Sequence, residues 1–278
     1  MKYPVLTILI CLSCLFGFSQ SFPKKQTLIP LSNVKGVPFY KDDEFGFIVD
    51  GFEIDEKNNF YFLGGDPTVN IAAFSGNKQL FRRTFNKSVP SSQILIYKKH
   101  IYTFGEDNNN LYVLDISNGS LTKTYPPILN KHINSYKFVD STIIVEVPID
   151  TSFIYEQYSL SGKYIKRASG PYDIPASVMP SRNPKDSFSL IGKWNNNYVF
   201  SGIEVKDLSV EKYLLVNAEG KILATRIVPG NNSTFGENYY ESFPTEHRKV
   251  RNGNLYVLGL KGNNALITEV PLASLFGK

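Results

Sequence analysis

The chain has 278 residues, 42% hydrophobic and 20% charged, with a formal net charge of +5 from 30 basic and 25 acidic residues. That length and apolar content suffice for a full core. The basic excess is spread along the chain with no long run of like charge, which argues against a nucleic-acid partner or an anionic-membrane surface.

Residues 1–20 read as a secretory signal peptide. Lys2 supplies the positive start, Val5 to Phe16 is a short apolar run, and Gly17 and Ser19 place small residues at the −3 and −1 positions of a cleavage site. The apolar run is too short for a membrane span. The cut is expected after Ser19 or after Gln20, leaving a single domain over 21–278. Lipoprotein processing at Cys14 is the competing reading, but Cys11-Leu12-Ser13 lacks the leucine expected three before the cysteine. Both cysteines, Cys11 and Cys14, lie in this leader. The mature chain is therefore expected to hold no disulfide, thiolate metal site or cysteine nucleophile. No later stretch approaches spanning length, so an exported product is predicted: periplasmic, cell-surface or secreted.

Gln26 to Leu31 reads as a strand. A unit then recurs over residues 50–86, 92–126, 134–168, 187–228 and 247–271. Each opens with two short strands around a polar turn, as in Phe52-Glu53-Ile54-Asp55 followed by Asn59-Phe60-Tyr61-Phe62-Leu63. The first four continue with two strands around a glycine turn: Ser75-Gly76-Asn77, Ser117-Asn118-Gly119, Ser161-Gly162-Lys163 and Glu219-Gly220-Lys221. Glycine is called for because positive φ is cheap only without a Cβ. Four-stranded units at roughly 40–50 residues signal a propeller, and helix-period segments are nearly absent. The fifth unit ends after its third strand, Ala265 to Val270. The N-terminal strand is predicted to complete it and close the ring, which removes exposed sheet edges. The predicted fold is an all-β propeller of four-stranded blades. Five blades are counted, and six are possible if residues 32–48 or 169–186 hold a degenerate one.

The stretch Val49-Asp50-Gly51-Phe52-Glu53-Ile54-Asp55-Glu56-Lys57-Asn58-Asn59-Phe60-Tyr61-Phe62 resembles the blade opening of NHL-type and gluconolactonase-type β-propellers, with Asn254-Leu255-Tyr256-Val257 a shorter match. The chain also resembles exported six-bladed propeller proteins of Bacteroidetes-type bacteria, whose leaders often end in Phe-Ser-Gln as here. Propellers host enzymes, lectins and protein-binding scaffolds alike, so the resemblance implies a fold rather than an activity.

The connections between second and third strands each carry an acid: Asp66, Asp107, Asp150, and Glu204 or Asp207. In propellers of this kind those loops share the ligand-binding face with the connections between blades. The acids are therefore candidates to ring the channel mouth and hold a divalent cation such as calcium, or to receive a cationic ligand. The competing explanation is that Asp and Asn simply make turns. No cofactor is certain. Lactonase chemistry would draw on Glu53, the one acid of the matching blade-opening strand, with a metal-bound water. Glycosidase chemistry would need two carboxylates across a cleft. His100, His132 and His247 form no metal-binding pair.

Two long connections, Gly170 to Asp186 and Pro229 to Glu246, carry Tyr172, Phe235, Tyr239 and Tyr240. Loops of that length are uncommon unless functional, and exposed rings would stack on sugars or anchor a protein. The competing reading has these rings folding back over a blade junction. Trp194, in a turn between first and second strands on the opposite face, is expected to pack or to be incidental. The function expected is a non-enzymatic binding module engaging a protein or glycan through the long loops. The alternative is a metal-dependent hydrolase of lactonase or glycosidase type with carboxylates at the channel mouth.

Overall fold

A computed structural model of the protein describes residues 23–30, 40–42, 46–49, 51–64, 69–85, 93–104, 110–125, 135–180, 186–204, 207–229 and 247–277. Five four-stranded antiparallel sheets form a ring. The first blade is β4 (Gly51–Ile54), β5 (Asn59–Gly64), β6 (Val69–Ser75) and β7 (Lys78–Phe85). The second is β8 (Ile94–Tyr97), β9 (His100–Phe104), β10 (Leu111–Asp115) and β11 (Leu121–Tyr125). The third is β12 (Ser135–Val139), β13 (Thr142–Ile149), β14 (Ser152–Ser159) and β15 (Tyr164–Arg167). The fourth is β16 (Asp186–Trp194), β17 (Asn197–Glu204), β18 (Asp207–Val216) and β19 (Ile222–Pro229). The fifth takes β20 (Arg248–Arg251), β21 (Asn254–Lys261) and β22 (Asn264–Pro271) from the C-terminal end. Its outer strand is β1 (Lys25–Pro30), paired antiparallel to β22 from Lys25 opposite Glu269 to Pro30 opposite Asn264. The expected closure by an N-terminal strand is thus present.

Neither stretch considered for a sixth blade supplies one among the described residues. Between the first strand and the first blade, β2 (Tyr40–Asp42) and β3 (Gly46–Ile48) pair as a two-stranded antiparallel sheet. Residues 169–180 form successive turns without a strand. The four glycine turns lie where expected, with φ of 59° at Gly76, 69° at Gly119, 81° at Gly162 and 84° at Gly220.

The core is divided among the junctions between blades. Side chains alternate across a strand, so β5 sends Phe60 and Phe62 toward the fifth blade, where they meet Ile29, Tyr256, Leu258 and Ile267. The same strand sends Tyr61 and Leu63 toward the second blade, against Ile94, Ile101, Tyr112 and Leu114. Burial on both faces explains why the middle strands read as almost continuous apolar runs. The second and third blades meet through Leu95, Phe104, Ile143 and Val145, with the Tyr136 ring tilted against Phe104 at 4.2 Å between centres. The fourth and fifth meet through Val199, Tyr213, Val250 and Val257. That junction is covered by the one-turn helix α1 (Leu272–Phe276), whose Leu272 and Leu275 are buried and whose Phe276 stacks on Trp194 at 6.2 Å. Trp194 packs, as its place in the sequence suggested.

The junction of the third and fourth blades is built differently. The turns of residues 170–180 enter it as a wedge, and Tyr172, Ile174 and Val178 are buried against Phe200, Leu214 and Val216. Asp173 fixes the wedge from outside, in an ion pair with Lys166 at 2.7 Å and accepting from the Ser169 amide at 3.2 Å.

Candidate functional site

The ring encloses a cavity of about 280 Å³. All five blades line it, through Glu53 of β4, Ile94 and Leu95 of β8, Lys137 to Val139 of β12, Leu190 to Lys193 of β16, and Arg248 to Arg251 of β20. These are the innermost strands, so the cavity lies on the ring axis. Gly192 lets β16 and β20 approach closely, since a Cβ there would sit 2.6 Å from the Val250 Cβ.

Among the described residues, five basic ones line the cavity, Lys137, Lys193, Arg248, Lys249 and Arg251, against two acids, Glu53 and Asp140. Their pairing is uneven. Arg248 is buried and forms an ion pair with Glu211 of β18, which also accepts from Ser201 Oγ at 3.0 Å and from the Tyr213 hydroxyl at 2.7 Å. Burial works most strongly against the charge on Arg248, but Glu211 and Tyr213, by charge and hydrogen bond together, outweigh it and the guanidinium's pKa lies above its ordinary value. Burial, then the neighbouring Glu211, pushes the Tyr213 phenol well up, so it remains a hydrogen-bond donor. Lys193 pairs with Asp140 at 3.0 Å where both are well exposed. Glu53 is nearly buried, and two cations share it: Lys249 at 3.6 Å and Arg251 at 3.5 Å. Lys137 donates to the Tyr172 hydroxyl at 2.7 Å and stands 4.3 Å from the centre of that ring.

The exposed part of the rim, at Asp140, Lys193 and Arg251, lies where first strands turn into second strands. That is the opposite end of the strands from the acidic loops singled out in the sequence. Of those acids, Asp150 occupies the tight turn between β13 and β14, exposed and with φ of 49°. Glu204 and Asp207 are the last register pair of β17 and β18. Asp66 and Asp107 lie outside the described residues, as do Phe235, Tyr239 and Tyr240 of the second long connection. No group of three or more potential metal ligands occurs among the described residues. Tyr172 is not an exposed ring. It folds into the blade junction and reaches the cavity wall, because the wedge has an apolar face to bury.

Sequence reasoning missed the basic lining. The signal was present but scattered, because the blade-opening strands carry Lys137, Lys193, Lys249 and Arg251 at different distances from the turn that follows each strand. Glu53 was noticed as an acid, but its two cationic partners lie nearly 200 residues away, in the fifth blade.

No family model matches the chain, and no curated protein does. Among solved structures, the chain is similar to BamB from Moraxella catarrhalis, at 9% identity and a TM-score of 0.37, over 80% of this chain and 82% of that one. It is also similar to a member of the DUF4221 family from Bacteroides vulgatus, at 10% identity and a TM-score of 0.43, over 88% and 95%. A third likeness, to a prolyl endopeptidase, has 11% identity and a TM-score of 0.33 and covers 74% of this chain and 28% of that one. Likenesses at these scores carry no functional argument. The assignment as a five-bladed β-propeller rests on the sheets themselves.

Proposed function

We propose that the protein is an exported, non-enzymatic binding module of the cell envelope that engages a protein or a glycan. Two surfaces serve it: the axial cavity, whose wall Tyr172 reaches, and the long connection bearing Phe235, Tyr239 and Tyr240. A closed ring of sheets holds the cavity wall rigidly. The observation that carries the reading is the state of the cavity's two carboxylates. Glu53 is held between Lys249 and Arg251, and Asp140 is held by Lys193. A lactonase or glycosidase needs carboxylates free to ligate a metal or exchange protons, and the cation pairing favours a binder over that alternative.

The test is to follow the unfolding midpoint and product formation together, with oligosaccharides and sugar lactones, in calcium and in EDTA. A bound ligand raises the midpoint by mass action. The expected result is such a rise without turnover and without sensitivity to EDTA. Product formation abolished by Glu53→Gln overturns the reading in favour of the hydrolase. Export is tested by sequencing the N-terminus of the fractionated protein, which is expected at Gln20 or Ser21. An intact Met1 in the cytoplasm contradicts it.

A further inference from the structure

We infer that the axial cavity binds a small organic oxyanion, a carboxylate or phosphate ester carried on a body about the size of one sugar ring. The inference deepens the binding-module reading by naming a ligand class for the same site. Three features carry it. The first is charge imbalance: Lys249 and Arg251 share the single carboxylate of Glu53. The second is Lys137, whose observed partner is the neutral phenol of Tyr172. Cations partly withdrawn from water on a low-dielectric wall attract an anion more strongly than exposed ones do, and an Arg beside Lys suits carboxylate or phosphate oxygens. The third is size and wall chemistry. About 280 Å³ lies near the lower end of small-molecule sites, and Phe138 and Tyr172 give the cavity an aromatic side against which a ring can lie. The distribution of charge excludes the cationic ligand that the acidic loops suggested, as far as this cavity is concerned.

The experiment is titration calorimetry of the whole protein with glucuronate, glucose 6-phosphate and glucose, repeated with added sodium chloride and with the variants Lys137→Met and Arg251→Gln. The expected result is binding of at least one acidic sugar about tenfold or more tighter than glucose. The affinity falls about tenfold in either variant and weakens as salt is added. Preference for glucuronate identifies a carboxylate ligand, and preference for glucose 6-phosphate a phosphate ester. Equal binding of glucose, binding of none of the three, or wild-type affinity in both variants overturns the inference. If the variants do not fold, the salt series on the wild type decides, and a salt-independent affinity overturns it. Sugar products are assayed in the same samples. Turnover of a bound acidic sugar would sink the non-enzymatic reading while leaving the oxyanion site standing.

Discussion

Glu211 and Arg248 form an ion pair across the junction of the fourth and fifth blades, with side-chain exposures of 2% and 1%. Ser201 and Tyr213 donate to the same carboxylate, so the negative charge is hydrogen-bonded from its own blade and neutralised from the next. Removing one member of a buried pair leaves the other uncompensated, at a cost of about 3–5 kcal/mol. Glu211→Gln and Arg248→Met are each expected to lower the urea midpoint by that order. The double replacement Glu211→Leu with Arg248→Met is expected to lose less than either single change. A double-mutant cycle in denaturant measures this, and additive losses would mean that the pair is not coupled.

Gly220 and Gly76 occupy equivalent turns with similar backbone geometry, φ of 84° and 59°, but in different surroundings. A Cβ at Gly76 meets nothing within 4 Å, whereas one at Gly220 would lie 2.0 Å from the Ser177 carbonyl of the wedge. Gly76→Ala is expected to cost about 1–2 kcal/mol, the left-handed penalty alone. Gly220→Ala is expected to cost about 1–3 kcal/mol beyond that, because backbone must move. Unfolding midpoints at unchanged denaturant slope check it. Equal losses would mean that the wedge is not seated against the fourth blade.

Tyr256 is buried, with its hydroxyl 3.1 Å from Asn58 Oδ1 and 3.2 Å from Glu269 Oε1, where it helps stitch the fifth blade to the first. Burial, then the Glu269 charge, pushes its pKa from 10.0 up to about 12. The folded state therefore holds this proton more tightly than the unfolded chain does. The stabilisation is complete below pH 10 and is lost as pH rises toward about 12. Tyr256→Phe is expected to flatten the decline in stability over that window. A wild-type decline unchanged by the substitution would place the effect elsewhere.

Ring closure depends on one six-residue strand. Ile29 of β1 is fully buried among Phe52, Phe62 and Ile267. Deleting residues through Pro30 uncovers the β22 edge and opens that core. The truncated chain is expected to unfold at lower denaturant and to associate with concentration, because an unpaired edge is a template for pairing. Size-exclusion chromatography across a dilution series reads the association. A monomer of undiminished stability would show that the ring does not need its clasp.

The architecture was legible because each blade repeats two local signals that neighbours do not alter: a glycine where φ must be positive, and paired runs of β-branched and aromatic residues. The incomplete fifth unit and the orphan strand at Gln26 pointed to each other for the same reason. The site was less legible because it is made by strands from every blade. Lys249 and Arg251 meet Glu53 only after closure, and no local pattern joins them. The wedge was visible as a long connection, but whether Tyr172 points outward or inward depends on the gap it fills.

The most direct test of a basic axial site is a crystal soaked in selenate and measured at the selenium edge. An anomalous peak is expected on the ring axis, within hydrogen-bond reach of Lys137 or Arg251. Peaks confined to the outer faces of the blades, with none in the cavity, would contradict it.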